Sequence, residues 1–425
     1  MDTIFALSSG APPAGIAVVR VSGARAGPVL RRLAGSVPPP RRARRASLHD
    51  AEGTLLDVGL VLWFPGPGSV TGEDLAEFHL HGGRAVVAAV ERALAGEPGL
   101  RRAEPGEFTR RAFVNGRIDL AEAEGLADLL AAETEIQRQA AIGLAGGSLS
   151  RRVDGWRDRL LGLAAQLEAV LDFDDEDDVG GLSARFRHEI AALDEELEAA
   201  LAAPAAELLR EGYRVALAGP PNAGKSTLFN VLVDSEAAIT SPQAGTTRDV
   251  LTRPVAMGGI PFTFVDMAGL RDESGDAVEA IGIERAAAEV TRADLVLWLG
   301  GEGEGPPAAW EIEAQCDREG HRAIKRAPRH RVSALTGENI DELKHALVAE
   351  ASAAMPRPGE TALGRRQRDL LGQARDALSE AREEADPLLT AEALRQARLA
   401  FDRLVGRAST EDVLDTLFGR FCIGK

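Results

Sequence analysis

Lysine is nearly missing from this chain: four occur, at positions 225, 325, 344 and 425, among 49 basic residues, so almost all positive charge is arginine. Cysteine is scarcer, with Cys316 and Cys422 alone and far apart in sequence. Two such thiols cannot make a disulfide framework, which excludes a stapled secreted scaffold and suits a reducing compartment. No apolar run reaches the roughly 18 residues that a membrane-spanning helix needs, and Met1-Asp2-Thr3 lacks the positive start of a secretory signal. Broad positive charge is also absent, since 66 acidic residues leave a formal net charge of −17. A nucleic acid would therefore meet a local basic patch or a partner protein. Together these absences predict a soluble, cytoplasmic chain and weaken the case for a stand-alone RNA binder.

What is present begins with Gly219-Pro220-Pro221-Asn222-Ala223-Gly224-Lys225-Ser226-Thr227, directly after the apolar run Val215-Ala216-Leu217-Ala218. It fits GxxxxGK[ST], a phosphate cradle in which successive backbone N–H groups from Asn222 to Thr227 converge on phosphates, Lys225 adds a point charge and the Ser226 hydroxyl can ligate magnesium. In an arginine-biased chain the retention of Lys225 has a steric reason: a planar guanidinium cannot replace a compact ammonium inside the loop.

Texture divides the rest. Residues 1–118 carry short β-like runs, such as Ile16–Val21 and Val58–Trp63, between Pro/Gly-rich turns, and predict an α+β domain. Residues 119–210 turn to Ala/Leu/Glu/Arg with helical spacing at Leu160, Leu163, Leu167, Val170 and Leu171. Strand and turn texture returns over 211–355, and 356–425 is helical again. An α/β domain is thus inserted into a helical one, which is physically easy when the guest's termini lie close together. The chain reads as an α/β and α+β multidomain protein: an N-terminal α+β domain, a helical domain, and an inserted Ras-like P-loop domain with a parallel sheet. The acidic run 172–178 could bind a metal but reads better as a solvated helix end, and is assigned no site.

Downstream of the loop, Gly245-Thr246-Thr247-Arg248-Asp249 lies where a switch segment belongs, and Asp266-Met267-Ala268-Gly269 follows the apolar run Phe262–Val265. In this order they describe a GTPase-type site. Thr247 would complete magnesium coordination, Asp266 would hold the metal through water, and the Gly269 N–H would sense the γ-phosphate. Guanine selection usually rests on Asn-Lys-x-Asp followed by a Ser-Ala turn. Ser333-Ala334-Leu335 supplies the turn, but Ala314-Gln315-Cys316-Asp317 keeps only the aspartate that would accept from guanine N1 and N2, so Asp317 reads either as a base ligand or as a surface acid. The stretch from Leu299 to Trp310 is too short and Gly/Pro-rich for a crossover helix, so that edge is expected to be abbreviated. Leu270, after Gly269, cannot orient a water as a glutamine would; oxygens of Asn222 and of the backbone before Thr246 make a nest for a monovalent cation that could do an arginine finger's work.

With Val278-Glu279-Ala280-Ile281-Gly282-Ile283-Glu284-Arg285, Pro105-Gly106-Glu107-Phe108-Thr109 and the ending Phe421-Cys422-Ile423-Gly424-Lys425, the whole chain resembles the MnmE (TrmE) family of tRNA modification GTPases. The resemblance implies a potassium-stimulated GTPase, a homodimer whose G domains meet across potassium, and a heterotetramer with the flavoprotein MnmG that modifies the wobble uridine of certain tRNAs. It implies potassium ligands at Asn222, Ser241, Gln243 and Thr246, magnesium at Ser226 and Thr247, and a water-positioning catalytic glutamate at Glu279, which from its sequence setting is equally a solvated helix residue. It further implies that the N-terminal domain binds a tetrahydrofolate derivative, 5-formyl or 5,10-methylene, as one-carbon donor, with contacts at Arg20, Glu77 and Arg117, the last usually a lysine. A carboxylate suits the amidine-like edge of a pterin and arginines suit a glutamate tail. From the residues alone, Arg20 and Glu77 are ordinary strand-end charges.

The tail is not a prenylation box, because glycine is a poor aliphatic position, lysine is an unusual last residue and no polybasic segment precedes it. Phe418 and Phe421 predict that it docks, placing Cys422 and Lys425 at a site; Cys422 then either acts in one-carbon transfer or is a packed thiol near folate. Arg41-Arg42-Ala43-Arg44-Arg45 is either a tRNA contact or an exposed loop. His79 and His81 share a strand face and give little support for a metal. Two other function classes fit less well: a ribosome-assembly GTPase would need a basic KH-like module, which is not visible, and a folate enzyme with a decayed G domain would have lost Lys225 or Asp266.

Overall fold

A computed structural model describes residues 2–172, 183–234, 237–238, 251–267, 288–318, 325–357, 361–408 and 411–425. The chain divides into two compact units, one of Met1–Ala127, Ala145–Leu161 and Arg398–Lys425, the other of Asp128–Leu144 and Gly162–Ala397.

The first unit is built on β1 (Thr3–Leu7), β2 (Ile16–Ser22), β3 (Arg44–His49), β4 (Leu55–Phe64), β5 (Leu75–His81) and β6 (Leu100–Arg102), ordered β3-β4-β5-β2-β1-β6. Neighbours pair antiparallel except β1 with β6. Strand β2 alternates as a period of two requires, burying Ala17, Val19 and Val21 on one face. These residues join Phe5, Phe78 and Leu48 in a core covered by Leu30 and Leu33 of α1 (Ala26–Ala34) and by Val90 and Leu94 of α2 (Arg84–Ala95). Removing each such large side chain from water contributes roughly 2 to 3 kcal/mol.

After α3 (Glu107–Val114) the predicted helical texture becomes α4 (Leu120–Ala131), α5 (Glu135–Ala145), α6 (Ser148–Asp172), α7 (Ala184–Leu201) and α8 (Ala206–Glu211). In α6 the stripe Leu160, Leu163 and Leu167 is buried, while Val170 and Leu171 are half-buried. The acidic run beyond Asp172 lies outside the described residues. Helix α7 starts where Ser183 accepts from the Phe186 N–H at 3.1 Å, the N-cap bond that satisfies an otherwise orphaned donor. Phe186, Ile190, Leu193 and Leu197 then recur every three or four positions along its buried face.

The second unit holds a sheet ordered β13-β12-β11-β7-β10-β9-β8, made of β7 (Tyr213–Ala218), β8 (Ala237–Ala238), β9 (Leu251–Met257), β10 (Ile260–Asp266), β11 (Leu295–Trp298), β12 (Trp310–Glu313) and β13 (His330–Arg331). From β10 through β7, β11 and β12 to β13 every pair is parallel. Strand β10, parallel to β7 and antiparallel to β9, is buried along its whole length, in keeping with its near-continuous apolar sequence: a strand covered on both faces has no polar side. Leu228 and Leu232 of α9 (Lys225–Asp234) and Leu343 and Leu347 of α10 (Ile340–Ala354) pack in its core. As expected, residues 299–309 contain no helix. Gly300 and Gly305 instead lie so close to the Trp298 ring that added Cβ atoms would sit 2.4 and 2.7 Å from it. Buried Lys325 braces this edge, donating to the Trp298 carbonyl at 2.8 Å and pairing with Glu311.

The chain closes with α11 (Arg365–Glu383), α12 (Pro387–Leu404) and α13 (Glu411–Phe418). Buried Asp194 of α7 is paired by Arg382 at 3.1 Å and Arg375 at 3.4 Å from α11, which a carboxylate removed from water requires. In the first unit, Leu414, Leu417, Phe418 and Phe421 pack with Leu120 and Ala123 of α4.

Candidate functional site

The parallel strands of the second unit all run the same way, so their carboxyl ends share one edge, where open α/β sheets hold ligands. The described nucleotide residues expected from the sequence lie on that edge. The loop 219–224 leaves β7, Asp266 ends β10 in register with Leu217, Asp317 follows β12 and Ser333-Ala334 follows β13.

In the loop, the turns fall at Gly219 (φ 148), Asn222 (φ 63) and Gly224 (φ 92). Such alternation aims successive backbone N–H groups into a concavity suited to an anion. Lys225 opens α9 and is 6% exposed, and its Nζ donates to the carbonyls of Gly219 at 2.9 Å and Pro220 at 2.7 Å. The ammonium and the positive end of α9 therefore coincide. Asn222, Ser226 and Thr227 are exposed, whereas Ala223 and Gly224 are half-buried. The donor set fits a phosphate: one buried cation, a helix N-terminus and exposed hydroxyls beside it. Asp266 is 1% exposed and Met267 half-buried.

The base side is laced by backbone. The Cys316 N–H donates to the Val332 carbonyl at 3.2 Å, drawing the turn that carries Asp317 against Ser333 and Ala334. Ser333 is fully buried, and its hydroxyl accepts from the Thr336 N–H at 3.1 Å, fixing that turn. Asp317 is exposed and Ala334 half-buried, so an acceptor stands at the open side.

In the first unit, register places Arg20 of β2 opposite Glu77 of β5, and Arg20 Nε donates to Glu77 Oε1 at 2.9 Å. His79 Nε2 lies 3.0 Å from the other carboxylate oxygen. Burial resists ionisation of Glu77, but the His79 hydrogen bond and the Arg20 guanidinium outweigh it and hold the carboxyl below its usual range. Arg117 is exposed and flanks Gly72, where an added Cβ would meet its Cγ at 3.3 Å. The tail docks as Phe418 and Phe421 predicted. Ile423 bridges to Pro105, and buried Gly424 adopts φ 95 with no room for a side chain, since a Cβ would fall 2.0 Å from the Leu7 carbonyl oxygen. The Lys425 N–H donates to the Cys422 carbonyl at 3.2 Å; Lys425 is half-buried and Cys422 is exposed.

A family model described as the MnmE helical domain matches residues 120–422, and one described as the GTP-binding protein TrmE N-terminus matches residues 3–117. A tRNA modification GTPase MnmE of Erythrobacter litoralis is 61% identical over 425 residues, covering 100% of both chains. Its namesake in Novosphingobium aromaticivorans is 59% identical, again over 100% of both. The chain belongs to the MnmE family. Of the residues that MnmE resemblance nominated, Ser241, Gln243, Thr246, Thr247, Ala268, Gly269 and Glu279 lie outside the described residues. Among the described residues no cluster of three or more His, Cys, Asp or Glu groups could hold a metal, and no helix is long and apolar enough to cross a membrane.

Two contacts in these candidate sites were not legible in the sequence. His79, weighed only as a metal ligand with His81, is the second partner of Glu77, while His81 pairs instead with Asp57 at 2.8 Å. The two-residue spacing of Glu77 and His79 on one strand face was the available signal. Gln315, seen only as a departure from Asn-Lys-x-Asp, donates from Nε2 to the Asn222 carbonyl at 3.3 Å. Nothing local in the sequence announces that contact.

Proposed function

We propose that this chain is a GTP hydrolase of tRNA modification, potassium-stimulated, that works with the flavoprotein MnmG on the wobble uridine, adding a carboxymethylaminomethyl or aminomethyl group at C5 with a one-carbon unit from tetrahydrofolate. The observation that carries this reading is the gathering of Lys225, Asp266, Asp317 and Ser333 at one carboxyl edge of a parallel sheet, in a chain of the MnmE family. Residues 211–355 form the G domain, 1–118 the folate domain, and 119–210 with 356–425 the helical domain. The protein is cytoplasmic, a homodimer, and a heterotetramer with MnmG.

In this reading Lys225 and the N-terminus of α9 hold the phosphates, while Asp317 and the Ser333-Ala334 turn select guanine. Magnesium, when bound, would be held by Ser226 and Thr247, with Asp266 reaching it through water, and potassium would be held by Asn222, Ser241, Gln243 and Thr246. Glu279 positions the attacking water. A monovalent cation, when bound, supplies positive charge to phosphate oxygens as the terminal bond breaks. Arg20, Glu77 and Arg117 bind the folate, and the docked tail brings Cys422 and Lys425 to that domain. The test is hydrolysis of GTP against ATP on purified protein, in potassium and in sodium. The expected result is GTP-selective turnover that potassium accelerates. Equal use of GTP and ATP would overturn guanine specificity, and equal rates in the two salts would overturn the cation role.

A further inference from the structure

Gln315 carries a backbone φ of 59, a conformation that a side chain other than glycine keeps only where its surroundings hold it. Here they do. The Arg318 N–H donates to the Gln315 carbonyl at 3.0 Å, and the next residue, Cys316, is 2% exposed with its N–H on the Val332 carbonyl at 3.2 Å. The side chain so directed crosses to the phosphate loop. Its Nε2 donates to the Asn222 carbonyl at 3.3 Å, and it lies against Gly224 so closely that an added Cβ would meet Nε2 at 3.1 Å and Cγ at 3.4 Å. Asn222 is itself left-handed, at φ 63.

A peptide group is planar, with its C=O and N–H opposed. A donor that pins the Asn222 carbonyl outward therefore turns the N–H of Ala223 into the loop. That N–H rests on the Pro220 carbonyl at 3.4 Å, a long bond readily exchanged for a phosphate oxygen. We propose that Gln315 is a positioning residue: its amide orients the Ala223 N–H toward phosphate and ties the loop to the turn bearing Asp317. It does so from the position where Asn-Lys-x-Asp would place a lysine. The inference rests on the nucleotide reading above and deepens it.

The experiment measures GDP affinity by calorimetry and melting temperature for Gln315→Gly, Gln315→Lys and Gln315→Glu in the full chain. Gln315→Gly relieves the left-handed backbone and removes the amide, so it should melt no lower than the parent yet bind GDP roughly three- to tenfold more weakly. Gln315→Lys restores a donor and should recover affinity. Gln315→Glu sets a carboxylate against a carbonyl oxygen and should be no better than Gln315→Gly. Undiminished GDP affinity in Gln315→Gly, a loss that merely follows a lowered melting temperature, or failure of Gln315→Lys to recover would each overturn the proposal. ADP serves as a second arm. Equal GDP and ADP affinity in the parent would refute the guanine reading, and the same variants titrated with ADP then judge the tether. A parent that binds neither nucleotide overturns both.

Discussion

Tyr213 is the single tyrosine of the chain, and it opens the strand that leads into the phosphate loop, so one chromophore reports on that strand. It is 5% exposed, with its ring edge-on to Phe262 at 5.9 Å between centroids, and Phe262 in turn stacks on Phe264 at 5.8 Å. Burial first, and then the negative charges of Glu350 and Asp294, push the phenol up from 10.0 to about 12, with Arg329 opposing. Because the folded value is raised, the contribution to stability is complete below pH 10 and is lost as pH climbs through about 12. A shift of that size, at about 1.4 kcal/mol per unit, amounts to about 2 to 3 kcal/mol, a sizeable fraction of a domain's total stability. Titrating the folded protein while recording tyrosinate absorbance and GDP binding should give no tyrosinate signal near pH 10. The signal should instead rise steeply near pH 12, together with loss of nucleotide. Tyr213→Phe controls for the ionisation of lysines and should hold its nucleotide to higher pH than the parent. A smooth titration centred near pH 10 with GDP binding intact would refute the burial of Tyr213 and the packing of β7.

Lys225→Ala should reduce GDP affinity by about 100-fold or more, since the buried charge of the proposed phosphate loop is lost, without changing the circular dichroism spectrum; calorimetry that finds parental affinity would dismiss the loop as the phosphate site. Glu77 is held below its usual range, so its pairing stabilises the fold above about pH 4.5 and that contribution fades as pH falls through the lowered value. Urea melts of Glu77→Gln and parent should therefore differ at neutral pH and converge in acid, and 5-formyltetrahydrofolate should bind the variant about tenfold more weakly. Gly424→Ala combines a left-handed backbone, costing about 1 to 2 kcal/mol, with a backbone clash. The tail should detach, exposing its amides to hydrogen exchange while GDP binding stays unchanged. Protected tail amides in the variant would contradict the docking described.

The loop Gly219–Thr227 and the strands around it were legible because their signals are local: Gly and Lys at fixed offsets, then apolar periods of two or of three to four. The short edge between β11 and β12 was legible from eleven residues too rich in Gly and Pro to form a helix, 299–309. What the sequence did not disclose depends on distant partners. Glu77 is ordinary until β2 brings Arg20 opposite it, and nothing in Ala314-Gln315-Cys316-Asp317 reveals a left-handed glutamine reaching a loop some ninety residues earlier, a separation of 93. Lys325 is similar. A lysine in an arginine-biased chain draws attention, but only the fold assigns it to the Trp298 carbonyl rather than to a ligand.

The make-up of the first unit has a consequence for synthesis on the ribosome. Met1–Ala127 emerges early, yet the segment whose Gly424 fits against Leu7 and whose Phe418 carbonyl faces Gly106 belongs to Arg398–Lys425. The second unit, nearly continuous in sequence, is synthesised almost entirely before that segment. The nascent chain must therefore hold an early sheet with an uncovered end while a later unit closes, so the first unit to begin is the last to finish. Truncation anywhere in the final helix would leave that uncovered end as the visible mark of an incomplete product.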